Sequence, residues 1–475
     1  MLAKHSLLYV LARGLPGLVN FAALAVYTRL LTPAQYGQYA LVLALVGMLN
    51  MLIFEWLHLG LLRYLPAKIV PKPVFLATLL MAFLVLAVIC TLIGVIWFGL
   101  DNQEQYLIFP GLALLLCTGL FNLNLQLKSA QLLPVDYGRL SAGKALISLI
   151  VGAGLVCYGF GAQGALYGLA IGMIVSSVFW AKNEWQGLKL TFFDKALLRK
   201  LVIYGLPLSV NLAMAEIISS SDRLFLKWMH NEATTGLYAA GYDLASHILG
   251  VILMIINLAA YPLAVRALEQ RGKEAAREQL QKNLVLIVAI VFPAAAGLAV
   301  LAPGVTGLII GEEFQKMAQT IVPWVALAAL LAGLKSYYFD MAFQLGQNTV
   351  GQLKVLAVAT LVNLVLNFIL IPDYSVMGAI YATVIAYAMG LVLSAIKGRK
   401  YFQLPVPGTE IIKIATATVI MSFVIFPFHN MTDIVDFLFS VILGAILYLF
   451  MILILDVAGA RAMASQLLPG VNHAR

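Results

Sequence analysis

The chain has 475 residues, of which 62% are hydrophobic and 11% are charged, with a formal net charge of +9 at pH 7. Soluble domains are about 45–50% apolar and about 25% charged, so this composition excludes water as the main solvent of the protein. The excess of basic residues requires no nucleic-acid partner, because lysine and arginine also gather in loops that face the anionic inner leaflet of a membrane.

Apolar stretches long enough to cross a bilayer recur from end to end of the chain. A helix needs about 20 apolar residues to cross a hydrocarbon core of about 30 Å. The first stretch, Leu7–Leu31, contains Arg13 and shows no small-residue cleavage site after a short apolar core, so it is predicted to be a retained span and not a secretory signal. About fourteen spans are predicted, with approximate bounds 7–31, 39–60, 74–99, 107–127, 142–160, 163–181, 201–221, 236–260, 283–303, 321–345, 353–371, 377–397, 409–428 and 435–457.

Basic residues separate by side of the membrane when these spans are counted off. Alternate loops carry the basic residues Lys68, Lys72, Arg139, Lys144 and those within 182–200, 266–282 and 397–400. The opposite loops are mainly acidic, as at Asp101 and Glu104. The positive-inside rule therefore places both termini of the predicted multi-pass membrane protein in the cytoplasm.

An internal repeat relates the two halves of the chain. Three pairs of segments correspond in order and spacing: GLPGLVNF with GLPLSVNL (14–21 and 205–212), GQYA with GLYA (37–40 and 236–239), and GALYG with GAIYA (164–168 and 378–382). The interval covers six spans, an even number, so the copies have parallel topology. The predicted division is an N-terminal lobe over 1–190, a C-terminal lobe over 191–400, and two extra helices with a tail over 401–475. Pro16 and Pro207, at matching places in spans one and seven, are candidate hinges, with a static kink as the alternative.

Four segments resemble a known family of membrane transporters. They are TRLLTPAQYGQYAL at Thr28–Leu41, YGLPLSVNL at Tyr204–Leu212, SSSDRLFL at Ser219–Leu226 and TTGLYAAGYDL at Thr234–Leu244. The chain resembles the Wzx-type flippases of O-antigen and exopolysaccharide repeat units, within the multidrug/oligosaccharidyl-lipid/polysaccharide (MOP) exporter superfamily. The resemblance implies an all-α, V-shaped fold with two six-helix lobes and two extra C-terminal helices. It also implies a cationic cavity between the lobes, an undecaprenyl-pyrophosphate-linked oligosaccharide as cargo, and alternating access.

Ionisable side chains inside the spans are the candidate functional residues, because a charge at bilayer depth costs at least about 2.5–3.5 kcal/mol on insertion scales. A pyrophosphate that enters from the inner leaflet would meet the deep cations Arg13 and Lys335. Lys128 and Lys144 are either cavity residues or snorkelling helix-end residues. The predicted cavity for pyrophosphate and sugars comprises Arg13, Asn20, Lys335, Arg223, Asn211, Lys128 and Lys144.

Acidic side chains inside the spans are candidates for coupling to H⁺ or Na⁺. Glu216 belongs to a polar stripe of span seven with Ser220, Arg223 and Lys227. Asp222 either contacts substrate or forms a structural ion pair. Glu55 with His58, and Asp243 with His247, are either proton-handling pairs or satisfied helix pairs, and Asn363 with Asn367 is interpreted as interhelical glue. The predicted coupling residues are Glu216, Asp222, Glu55, Asp243 and Asp340.

Three alternatives compete with a lipid-linked oligosaccharide flippase. A cation or drug antiporter would need an acidic cavity, and a lipid II flippase would also handle a pyrophosphate. A polysaccharide polymerase or glycosyltransferase would need a sizeable external loop, and the predicted external loops are short. No phosphate-binding loop, metal-ligand cluster or nucleophile–base pair is visible, so the sequence predicts no enzyme, cofactor, metal site or nucleic-acid partner. The partners that the resemblance implies are membrane lipids and, in the same pathway, polymerase and chain-length proteins.

Overall fold

The computed structural model describes the backbone of residues 2–100, 105–430 and 433–462. Side chains are described within these ranges from Pro16 onward, apart from residues 100, 105, 106, 190, 258 and 259. The predicted loop Asp101–Glu104 and the side chain of Arg13 therefore lie outside what is described.

The described backbone is almost entirely helical. Two π-helical turns, Val156–Phe160 and Lys335–Phe339, interrupt the regular helices. The α-helices are α1 (Leu2–Leu30), α2 (Pro33–Ile53), α3 (Glu55–Tyr64), α4 (Lys72–Leu100), α5 (Gln105–Ala130), α6 (Pro134–Leu155), α7 (Gly161–Ala181), α8 (Lys195–Met229), α9 (Glu232–Val300), α10 (Ala302–Ile309), α11 (Glu312–Leu334), α12 (Met341–Leu345), α13 (Thr349–Gly398), α14 (Gly408–Ile425) and α15 (Ile434–Ile454).

Ten helical segments within the described ranges are long and apolar enough to cross a membrane. Three of them, residues 134–185, 232–300 and 349–398, contain residues in the left-handed region and each holds two predicted spans. Helix α1 coincides with the first predicted span. All the predicted spans thus fall on observed helices, and the predicted all-α membrane class is confirmed.

The threonine–proline turn between α1 and α2 is a helix-start signal. The backbone N–H of Gln35 donates to the Thr32 hydroxyl at 3.3 Å, and the Thr32 N–H donates to Gln35 Oε1 at 3.2 Å. This capping box, with Pro33 at the first helical position, satisfies N–H groups that the helix cannot pair itself. The repeat places Asn231 at the equivalent point of α9, where its Oδ1 accepts from the Thr234 N–H at 2.8 Å. Both copies of the motif therefore start a helix by side-chain capping.

The repeat also appears in the backbone where α6 leads to α7 and where α13 breaks. Gly161 has φ 51° and ψ −136°, and Ser375 has φ 48° and ψ −126°. These residues precede GALYG and GAIYA by the same number of positions. The two copies make the same reversal, although only one of them uses glycine.

The chain packs as two compact units, each with its own core. One comprises the described residues up to Ala240 with Asn363–Ala379, and the other comprises Gly241–Val362 with the described residues from Ile380. That the chain moves as two lobes with boundaries at 190 and 400 stays a prediction. Helices α1 and α8 run through Pro16 and Pro207 as single helices, so the hinge role of these prolines also stays a prediction.

Candidate functional site

Helices α2 and α3 pack antiparallel against α8 in the first unit. A Cβ added to Gly47 would lie 3.0 Å from the Glu216 carboxylate, and one added to Gly60 would lie 2.7 Å from the Leu201 side chain. A Cβ on Gly205 would lie 2.4 Å from the Trp56 carbonyl oxygen. Glycine is required at position 205 because the two backbones approach too closely there for a side chain, whereas Gly47 and Gly60 lie against side chains. The polar stripe of α8 is thereby held against α2.

Asp222 is the centre of a buried hydrogen-bond network in the first unit. Its side chain is fully buried, and its two oxygens accept from the Tyr238 hydroxyl at 2.5 Å and from Asn367 Nδ2 at 2.6 Å. Ser221 donates to Asn363 Oδ1 at 3.2 Å. Because these bonds join α8 to α9 and α13, the prediction that Asn363 and Asn367 act as interhelical glue is confirmed. Asp222 is built into the packing, whatever further role it has in transport.

Glu216 lies one turn and a half before Asp222 on α8. Its carboxylate accepts from the Ser220 hydroxyl at 2.7 Å, and its side chain is half-buried beside Gly47. The predicted polar stripe is thus partly paired within itself. Ion exchange by Glu216 stays a prediction.

Lys335 lies in the π-helical turn of the second unit and is 5% exposed. Its Nζ donates to Asp340 Oδ2 at 2.7 Å, and Asp340 Oδ1 accepts from the Ser394 hydroxyl at 2.6 Å. The stem of Lys335 packs against Gly390, whose Cβ would lie 3.1 Å from Lys335 Cε. Lys335 is therefore neutralised by Asp340 in this structure and is not an open cation. A role for it in binding cargo stays a prediction that requires this pair to exchange partners.

His58 and Glu55 form a buried pair on α3. His58 is 1% exposed, with Nδ1 2.9 Å from Glu55 Oε2 and Nε2 3.0 Å from the Gly119 carbonyl oxygen of α5. A carbonyl oxygen only accepts, so Nε2 donates to it, while Nδ1 lies within hydrogen-bond distance of the Glu55 carboxylate. The predicted helix pair is present, and a proton-handling role for it stays a prediction.

The remaining predicted cations have different surroundings. Lys128 is 6% exposed and donates to Glu184 Oε1 at 2.7 Å, and Glu184 also binds Lys72. Lys144 lies 5.8 Å from the centre of the Phe121 ring, within range of a cation–π interaction. Lys128 is thus neutralised where it lies, whereas the contact described for Lys144 is with an aromatic face. Substrate binding by either stays a prediction.

Asp243 and His247 do not pair through their side chains in the described structure. His247 Nδ1 lies 2.6 Å from the backbone oxygen of Asp243, because residues four apart on a helix place a side chain over the preceding carbonyl. The predicted proton-handling pair is therefore not formed here as a carboxylate–imidazole contact.

Sequence reasoning missed Glu232, the first residue of α9. Its two carboxylate oxygens accept from Lys227 at 2.7 Å and from Gln38 at 2.6 Å, which ties α8 and α2 to α9. Its position directly after the capping Asn231 was the available signal, since acidic residues favour helix N-termini.

The predicted site residues whose side chains are described are distributed over both units. Asp222, Arg223, Glu216, Asn211, Glu55, Lys128 and Lys144 belong to the first unit, and Asp243, Lys335 and Asp340 belong to the second. Asn20, exposed on α1, and half-buried Asn211 on α8 have no hydrogen bond among the described residues. Among the contacts that the structure describes, the bond from Lys335 to Asp340 joins two of the predicted site residues.

This arrangement of helices has counterparts among solved structures. It matches the lipid II flippase MurJ in an inward closed conformation with a TM-score of 0.80, at 13% identity over 96% of this chain and 100% of that one. An inward-facing multidrug resistance MATE family transporter of the MOP superfamily matches with 0.58, at 16% identity over 82% and 97%. A MOP superfamily transporter from Pyrococcus furiosus also matches with 0.58, at 16% identity over 84% and 94%. The fold is that of the MOP superfamily.

Sequence comparison narrows the class. Residues 26–319 match the family described as polysaccharide biosynthesis protein, and the chain belongs to that family. The probable low-salt glycan biosynthesis flippase Agl15 of Haloferax volcanii is 23% identical over 316 residues, 63% of this chain. The chain spans 63% of the length of that relative. These relatives are named as flippases and transporters, and none as an enzyme.

Proposed function

We propose that this protein is a flippase that moves an undecaprenyl-pyrophosphate-linked oligosaccharide from the inner to the outer leaflet of a bacterial cytoplasmic membrane, for assembly of O-antigen, exopolysaccharide or capsule. Membership of the polysaccharide biosynthesis family over residues 26–319 carries the proposal. The relative named as a glycan flippase supports it, although that alignment covers 63% of each chain.

The cations of the spans would bind the pyrophosphate during entry. Arg13 and Lys335 are the deepest of them in the predicted topology, and Lys144 adds a cation that faces an aromatic ring. Lys335 can meet the cargo only when its bond to Asp340 opens. A phosphate oxygen that replaced the Asp340 carboxylate would keep the ammonium paired throughout, which avoids the cost of a lone buried charge. Asp340 would keep its bond from Ser394 meanwhile.

Alternating access between the two repeats would carry the cargo across, by the rocking that parallel-repeat transporters use. Transport is either passive or driven by H⁺ or Na⁺. Glu216, Asp222, Asp243, Asp340 and the Glu55–His58 pair are the groups that would exchange the ion. In the Glu55–His58 pair the imidazole lies 2.9 Å from the carboxylate, so this pair is the best formed of these for H⁺.

The lipid II flippase alternative has a specific support, the match to MurJ at a TM-score of 0.80. At 13% identity that match speaks for the fold alone. The two candidates share a pyrophosphate and differ in the sugars, so substrate competition separates them.

A reconstituted flipping assay tests the proposal. Purified protein in liposomes that contain undecaprenyl-pyrophosphoryl oligosaccharide extracted from the source organism should make the inner-leaflet glycan accessible to an added lectin. ATP should have no effect, and an imposed pH or Na⁺ gradient should change the rate only if transport is coupled. Flipping of lipid II but not of the lipid-linked oligosaccharide would identify the protein as a lipid II flippase. Failure to flip either lipid would overturn the proposal.

The cationic mechanism is tested in the same assay with Arg13→Gln and Lys335→Gln. Each lost charge-assisted hydrogen bond is worth about 1.5–3 kcal/mol, so flipping should slow by roughly one to two orders of magnitude. Arg13→Lys should retain more activity than Arg13→Gln, because a point charge suffices for a phosphate. Parental rates in both glutamine variants would show that the cargo does not use these cations.

A further inference from the structure

The second unit contains an open cavity of 210 Å³ lined by residues of α9, α11, the π-helical turn and α13. The part of its wall that bears hydroxyl groups comprises Tyr242, Ser246, Ser336, Tyr337 and Tyr387. Glycine, alanine, leucine and valine form the rest. The three tyrosines and Ser246 are half-buried and Ser336 is exposed, so these side chains are accessible to a ligand.

The π-helical turn explains why hydroxyl groups line this cavity while the ion pair beside it does not. The Asp340 N–H donates to the Lys335 carbonyl at 2.8 Å, the five-residue bond that defines such a turn. Ser336 and Tyr337 line the cavity, whereas Lys335 and Tyr338 are 5% and 0% exposed. π-helical turns occur frequently at functional sites because they redirect neighbouring side chains. Here the turn separates a charged pair from a neutral polar wall.

Two glycines of the wall have different roles. A Cβ on Gly333 would lie 2.5 Å from Leu253, so close packing already requires glycine there. A Cβ on Gly250 would meet nothing within 4 Å, so packing places no demand for glycine at this position. Glycine within a helix costs up to about 1 kcal/mol relative to alanine. The open space at Gly250 keeps the cavity available.

The residues that line the cavity indicate which class of ligand it can bind. None of the described residues that line the cavity is charged, so a pyrophosphate would lose its hydration there without gaining a cation from them. An apolar lipid chain in this cavity would face five side chains with hydroxyl groups and could form no hydrogen bond with any of them. The second cavity of this unit, 280 Å³ beside α14, differs because Thr418 is the single hydroxyl-bearing residue of its wall. Tyrosine offers an apolar ring and a hydroxyl together, which suits a ligand with an apolar face and many hydroxyl groups.

We infer that this cavity binds one neutral sugar ring of the lipid-linked cargo. Its 210 Å³ is below the range of about 300–1,000 Å³ of pockets for drug-sized ligands, so it admits a single ring and not a whole oligosaccharide. The inference rests on the proposed flippase function and adds the part of the cargo that the second unit recognises. The tyrosines pack on the ring, and the serines and tyrosine hydroxyls bind its hydroxyl groups.

The experiment compares two probes and two variants of the full-length protein. The probes are undecaprenyl-pyrophosphoryl oligosaccharide extracted from the source organism and, as the deglycosylated probe, undecaprenyl pyrophosphate, which has the same lipid and pyrophosphate without the glycan. Gly250→Leu fills the cavity without a backbone clash. Gly154→Leu on α6 is the matched control, because its Cβ would also meet nothing within 4 Å. Binding of each probe to purified protein is measured in detergent.

The parent and Gly154→Leu should bind the glycosylated probe more tightly than the deglycosylated one. Gly250→Leu should lose about tenfold in affinity for the glycosylated probe, the equivalent of one good interaction, and keep its affinity for the deglycosylated probe. Tyr337→Phe, which keeps the ring, should lose less than Tyr337→Ala. Parental binding of the glycosylated probe by Gly250→Leu, or an equal loss for both probes, would overturn the inference and leave the flippase proposal standing. A parent that binds neither probe would overturn both.

Discussion

Gly37 and Gly236 lie against each other's helix in a reciprocal contact. A Cβ on Gly37 would lie 1.8 Å from the Glu232 carbonyl oxygen, and a Cβ on Gly236 would lie 1.9 Å from the Pro33 carbonyl oxygen. Gly37 is the repeat-mate of Gly236. Each glycine thus lies against a backbone carbonyl at the start of the other helix. The repeat detected in the sequence therefore meets itself at the start of α2 and α9.

Alanine at either glycine should force the starts of α2 and α9 apart. Inserting a methyl group at a backbone contact costs about 1–3 kcal/mol or more, so Gly37→Ala and Gly236→Ala should each lower the melting temperature in detergent. Gly154→Ala, with open space at its Cβ, should not lower it, because alanine favours the helix. Unchanged melting temperatures for both test variants would show that this contact opens freely in solution.

Ser375 adopts a backbone conformation that favours glycine, with φ 48°. A side chain in that region costs about 1–3 kcal/mol, so Ser375→Gly should raise the free energy of unfolding. Gly161→Ser should lower it, because that residue has the same conformation with φ 51°. Ser375→Ala keeps the Cβ, so it serves as the control and should leave the free energy of unfolding nearly unchanged. Destabilisation by Ser375→Gly, measured by thermal unfolding, would contradict the assignment of strain to this turn.

The Lys335–Asp340 pair can be tested for structural and functional roles separately. Removing one partner leaves a buried lone charge, which costs about 3–5 kcal/mol, so Lys335→Met and Asp340→Leu should each destabilise the protein. The double variant should recover most of the lost stability, since apolar replacement of a buried pair is often neutral. A double variant that is stable but does not flip cargo would support a role for Lys335 in binding. A double variant that flips cargo at the parental rate would show that the pair contributes to packing alone.

Asp222 receives hydrogen bonds from two donors, Tyr238 and Asn367. Asp222→Asn would turn an amide NH₂ toward one of these donors, and a buried donor left unsatisfied costs about 1–3 kcal/mol. The variant should therefore melt at a lower temperature, and adding Tyr238→Phe should return part of the loss by removing one donor. Additive losses in the double variant would contradict this network.

The sequence by itself determined the class, the spans and the repeat of this protein. These follow from local chemistry, because each span must satisfy its own backbone hydrogen bonds in lipid and so appears as an apolar run. The Thr32–Gln35 capping box likewise depends on residues that are close together in the sequence. The resemblance of the Leu-Thr-Pro turn and of the Asp-Arg segment to a flippase family held, since the chain belongs to the polysaccharide biosynthesis family.

The tertiary structure decided the partners of the charged and polar side chains. Residues five apart lie about 140° from each other around a regular α-helix, so regular helix geometry separates Lys335 from Asp340, and it is the π-helical turn that brings them to 2.7 Å. Asp222 meets Asn367 across 145 residues of chain, and His58 meets the Gly119 carbonyl of another helix. Sequence periodicity identifies which face of a helix is polar. Only the packing of helices determines which groups share that face, and therefore which charges are neutralised and which cavity their neighbours line.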